Sequence, residues 1–84
     1  MSVSIIFSDG SYTAKKFINV PTLQELQELV GGLIAVVNLK DGSQMIVDEE
    51  GLLKNKPANQ RASALAEILI VGDAVILNGS HRIS

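Results

Sequence analysis

The sequence predicts an α+β domain with a mostly antiparallel sheet, one main helix and one short helix. Three observations predict it. Two Asp-Gly pairs, Asp9-Gly10 and Asp41-Gly42, sit between runs of β-forming residues and read as hairpin turns. The stretch TLQELQELVGG carries its own helix start, apolar stripe and stop. The resulting order, ββαββαβ, suits a single sheet with its main helix packed on one face. The β-grasp arrangement is one of the rolls that share this order.

The first hairpin is SVSIIFSDGSYTAKKFIN. Val3, Ile5, Ile6 and Phe7 precede the turn, and Tyr12, Thr13, Phe17 and Ile18 follow it. A two-residue type I′ turn at Asp9-Gly10 is expected. In the helix, Thr22 is the N-cap and Glu25 completes a capping box. Leu23, Leu26, Leu29 and Val30 share one face, and Gly31 takes the left-handed conformation that ends the helix. The second hairpin spans LIAVVNLKDGSQMIVDEE. Its first strand is apolar from residue 33 to 37, so it is expected at the centre of the sheet or at an oligomer interface. GLLKNKPANQ reads as a loop, and Asn59 caps a short helix from about 60 to 67. Ala62, Leu65, Ala66 and Leu69 give that helix a small apolar face. IVGDAVILNG closes the fold as a buried strand, with Gly72-Asp73 as a turn or bulge at its start. One domain over residues 1–79 is expected, with 80–84 as a flexible tail.

Composition narrows the function. The 84 residues contain no cysteine and a single histidine, His81. Cysteine-based zinc sites and disulfide scaffolds are thereby excluded. Absent cysteine suits a reducing cytoplasm. Residues 1–42 hold three cations and four anions, and residues 43–84 four and five, so each half carries −1. Without a basic stripe and with 4% aromatics, direct nucleic-acid binding is not expected. The most apolar window, ALAEILIVGDAVIL, is interrupted by Glu67 and Asp73 and is too short for a membrane span. Hydrophobic residues nevertheless reach 46%. So small a domain has little interior for them, which predicts an exposed apolar patch and a homo-oligomer, in the first instance a dimer.

Chemistry concentrates in VDEEGLLKNKPANQRAS. On a strand, Asp48 and Glu50 would share a face and Glu49 would oppose them. Paired, Asp48 and Glu50 could hold a hard cation or do acid–base work; the plain alternative is a solvated strand end. Asn59 and Arg61 form the second candidate. A guanidinium at a helix start suits an anion, whereas in the structural alternative Asn59 caps and Arg61 pairs with Glu49 or Glu50. The ligand-binding candidates are therefore Glu49, Glu50, Asn59 and Arg61, with no catalytic residue, metal or cofactor assigned.

Several phrases together resemble a small domain family of unknown function found in bacteriophages, plasmids and their hosts. They are Val30-Gly31-Gly32, Glu49-Glu50-Gly51, Pro57 with Asn59 and Ala62, and Gly72-Asp73. The family often has Asn where this chain has Asp48. The resemblance implies a phage or mobile-element accessory protein without established activity. The expected function is non-catalytic binding of a host protein or a small anionic ligand. The alternatives are an anti-defence protein that sequesters a nucleotide signal and, behind it, a metal-dependent hydrolase using Asp48 and Glu50.

Overall fold

A computed structural model describes residues 2–78. The expected tail, with His81, lies outside the described residues. The elements are β1 (Ser2–Ile6), β2 (Tyr12–Lys16), α1 (Leu23–Val30), β3 (Ile34–Asn38), β4 (Gln44–Asp48), α2 (Gln60–Ala66) and β5 (Ala74–Leu77). They form a single α+β domain with one sheet in the order β2-β1-β5-β4-β3. Every neighbouring pair is antiparallel. The two hairpins are local. The last strand enters between them, pairing Ile5 with Val75 on one side and Ile46 with Val75 on the other. β5 therefore turns two separate hairpins into one sheet.

Side-chain alternation divides the sheet into two apolar faces. On one, Val3, Ile5, Ile46, Val75 and Leu77 pack against Leu26 and Val30 of α1. On the other, Ile6, Met45, Val47 and Ala74 pack against Ala62 of α2 and against Ile70. The second helix thus covers the sheet face opposite α1. This explains why β4 is buried along its whole length. Of the stripe predicted for α1, Leu26 and Val30 are buried and Leu29 is half-buried, but Leu23 is exposed. In α2, Ala62 is buried, Ala66 half-buried and Leu65 exposed, and Leu69 lies beyond the end of the helix and is exposed too.

The apolar strand at residues 33–37 is not central. It is β3, an edge strand with a half-buried to exposed pattern. Continuous apolar sequence marks the need for cover without saying which strand receives it, and the central place went to β5.

The hairpin turns also differ from expectation. Phe7 N–H donates to Ser11 C=O, and Gly10 N–H donates back to Phe7 C=O. Leu39, Ser43 and Gly42 repeat the pattern. Each loop therefore has three residues, 8–10 and 40–42, with only the glycine at positive φ. The Asp carboxylates close these loops by accepting from the backbone and hydroxyl of Ser11 and Ser43. A Cβ on Gly42 would meet nothing within 4 Å, yet φ is +89°. Gly42→Ala should therefore cost about 1 kcal/mol through backbone strain alone. The check is the midpoint of urea unfolding, with an unchanged slope.

The predicted caps of α1 are present. Thr22 Oγ1 accepts from Glu25 N–H, Thr22 N–H donates to Glu25 Oε1, and Gly31 ends the helix at φ 88°.

Candidate functional site

The polar segment after β4 begins with Asp48, whose carboxylate is buried. Lys54 Nζ lies 2.9 Å from Asp48 Oδ2, and Lys56 Nζ lies 2.7 Å from the same oxygen. The other oxygen accepts from Glu50 N–H at 2.8 Å. Both ammoniums reach further. Lys54 donates to Gly31 C=O at 3.0 Å and Lys56 to Val30 C=O at 2.6 Å. These carbonyls lie at the C-terminus of α1, the negative end of its dipole. The last turn of α1 has no basic residue of its own. The loop supplies two, and Asp48 holds them in place. Gly32 makes room, because a Cβ there would run into Lys54 Nζ and the Asp48 carboxylate. Burial pushes the Asp48 carboxyl up, but hydrogen bonds from Lys56, Lys54 and Glu50 N–H, with the charge of Lys56, hold it well below the usual range.

Asp48 is therefore not a solvated strand end, and it forms no carboxylate pair with Glu50. Glu49 and Glu50 are exposed on the turn beyond the strand, with Glu49 N–H donating to Leu33 C=O. Among the described residues, no group of three or more acidic or histidine side chains is placed to hold a metal. Spacing alone did not reveal the Asp48–lysine cluster. Its only sequence signal was a helix ending without a cation, followed later by two lysines in a glycine-bounded loop.

Asn59 is buried and fully used. Its Oδ1 accepts from Ala62 N–H at 3.0 Å, as a cap should. Its Nδ2 donates to Ile6 C=O and Gly72 C=O, both at 2.9 Å. One amide thus joins the end of β1, the approach to β5 and the start of α2. The residue is only 1% exposed, and its side-chain polar atoms are directed inward to these three backbone groups.

Arg61 lies one residue beyond Gln60 on the exposed side of α2. It does not pair with Glu49 or Glu50. Its guanidinium stands 5.0 Å from the ring centre of Tyr12, on edge strand β2. These two side chains rim a groove of about 500 Å³ with Ser4, Ile6, Ile76, Ala64 and Leu65 around it. The groove follows from the short length of α2, which leaves the outer strands of that face uncovered. Of the four predicted binding residues, only Arg61 lines it. Tyr12, in sequence only one of the β-formers of the first hairpin, lines it too. Only the sheet order brings the pair together.

The cavity has the size of a small-molecule site, an apolar floor and one cation at its rim. A model of a protein family of unknown function, DUF3846, matches residues 1–82. The chain belongs to the DUF3846 family. No curated protein and no solved structure matches the chain. Among the described residues of this DUF3846 domain, no helix is long and apolar enough to cross a membrane.

Proposed function

We propose that this DUF3846 domain is a non-catalytic binding protein whose groove takes a ligand with an apolar body and one acidic group. The ligand is either a small molecule or a segment of a host protein. The supporting observation is Arg61, aligned by Tyr12 over an apolar groove and paired with no carboxylate among the described residues. A guanidinium held against a ring is oriented in advance, so an incoming carboxylate or phosphate meets two parallel donors. The sequence resemblance supports a phage or mobile-element accessory role. The protein acts as a homo-oligomer, a reading supported by the exposed Leu33, Leu52, Leu53, Ile68 and Leu69.

A second reading rests on the exposed Tyr12 ring. A nucleobase stacks on such a ring while Arg61 meets its phosphate, which describes a nucleotide-sequestering anti-defence protein. Thermal unfolding with aryl carboxylates in one series and cyclic or linear nucleotides in the other separates the two. A ligand at about 100 times its Kd adds about 2.7 kcal/mol of stability. Arg61→Ala should weaken binding by about 10- to 100-fold, the value of a charged hydrogen-bond partner. Selective stabilisation by nucleotides favours the second reading. If no probe shifts the transition, the small-ligand reading is wrong.

A further inference from the structure

We propose that the outer edge of β3 is the seam between two copies of this chain, joined antiparallel about a two-fold axis at Ala35. This rests on the homo-oligomeric reading above and adds where the copies meet. The two edges of the sheet differ in chemistry. β2 carries Lys15 and Lys16, charges of the kind that keep edges apart. β3 reads IAVVN, with neither a charge nor a proline. Pairing β2 with a second β2 would crowd the lysines of both copies along one ladder. Pairing β3 with itself opposes no like charges.

The backbone sets the register. Leu39 N–H donates to Ser43 C=O, and Glu49 N–H donates to Leu33 C=O. Residues 33 and 39 therefore bond inward to the neighbouring strand, and alternation gives Ala35 and Val37 the same role. The N–H and C=O groups of Ile34 and Val36 point outward along the open edge. With Ala35 opposite its copy, Ile34 faces Val36 in both directions, and each such pair exchanges both backbone bonds. Their side chains meet as β-branched cross-strand pairs on the α1 face. Val36, 42% exposed in the single chain, becomes covered. Leu33 lies at the same end as the turn bearing Leu52 and Leu53, and all three are exposed. A five-residue ladder is small beside the roughly 1,600 Å² of a standard interface. The dimer is accordingly weak and concentration-dependent, and closed by its two-fold symmetry.

Sedimentation velocity across a dilution series tests the seam. The wild-type chain should pass from monomer to dimer. Val36→Lys should raise the dimer dissociation constant by roughly ten-fold or more, about 1.4 kcal/mol or more, with the fold kept by circular dichroism. The chain has no cysteine, so Ala35→Cys is a unique reporter. Opposed residues of this kind of pair lie about 4.5 Å apart at Cα, within disulfide range. Ala35→Cys should form a covalent dimer on mild oxidation, and Lys16→Cys on the other edge should not. A dimer that Val36→Lys leaves intact, or an Ala35→Cys chain that does not cross-link, overturns the seam while homo-oligomerisation stands. A monomer at every concentration overturns both.

Discussion

Asn59→Ala should destabilise the domain by about 2–4 kcal/mol. Ala62 N–H and Gly72 C=O lose this partner, and Ile6 C=O is left with only its ladder bond to the neighbouring strand β5. Loss of the cap costs about 1 kcal/mol. A carbonyl left buried without this donor costs about 1–3 kcal/mol. A domain of this size has about 4–13 kcal/mol in all, so the variant stands at the margin of folding. Asn59→Asp separates the contributions. It keeps the acceptor for Ala62 N–H but turns a carboxylate towards two carbonyl oxygens. If capping were the whole role, Asp would rescue the fold, since it caps as well as Asn. The bonds to β1 and to the approach to β5 predict no rescue. Urea unfolding of both variants decides; an Asn59→Asp protein near wild-type stability would refute the account.

Asp48→Asn should cost about 2–3 kcal/mol at neutral pH. Removing one member of a buried ion pair costs about 3–5 kcal/mol. Here Lys54 and Lys56 keep some contact with water and retain their bonds to α1, which lowers the figure. The pH dependence gives a sharper test. The folded protein holds the Asp48 carboxyl below its unfolded value of about 3.9. The unfolded chain therefore binds the proton more readily. The stabilisation is complete above the unfolded pKa and declines as pH falls towards the folded one. Asp9 and Asp41 are lowered too, by Ser11 and Ser43, and slope the curve the same way. The quantity to measure is thus the difference between wild type and Asp48→Asn. It should be level near neutrality and shrink below about pH 5. A difference unchanged down to strong acid would show that Asp48 does not carry the charge effect.

These two residues change the meaning of the polar segment. In sequence it stands out as the place for chemistry, because charge and amide groups gather there in an otherwise aliphatic chain. Folded, Asp48 organises two lysines against the end of α1, and Asn59 ties three elements together. The Val-Gly-Gly and Glu-Glu-Gly phrases meet around that cluster, so the pattern that marked the resemblance is largely the pattern of one structural joint. The candidate site moved to Tyr12 and Arg61, of which only Arg61 stood out in the sequence. Its intended partners, Glu49 and Glu50, lie on a different turn.

What the sequence determined by itself is local. Thr22 and Glu25 start α1, Gly31 stops it, Asn59 caps α2, and the Asp-Gly pairs turn the hairpins, because each of these interactions spans only a few residues. The tertiary structure alone decided which strand is central, which edge is open, where Asp48 finds its cations and what Arg61 faces. Those outcomes depend on β5 entering between the hairpins and on α2 crossing to the second face. Such pairings are set by the burial of whole surfaces, and a run like IAVVN carries the same apolar signal at an edge as at a centre.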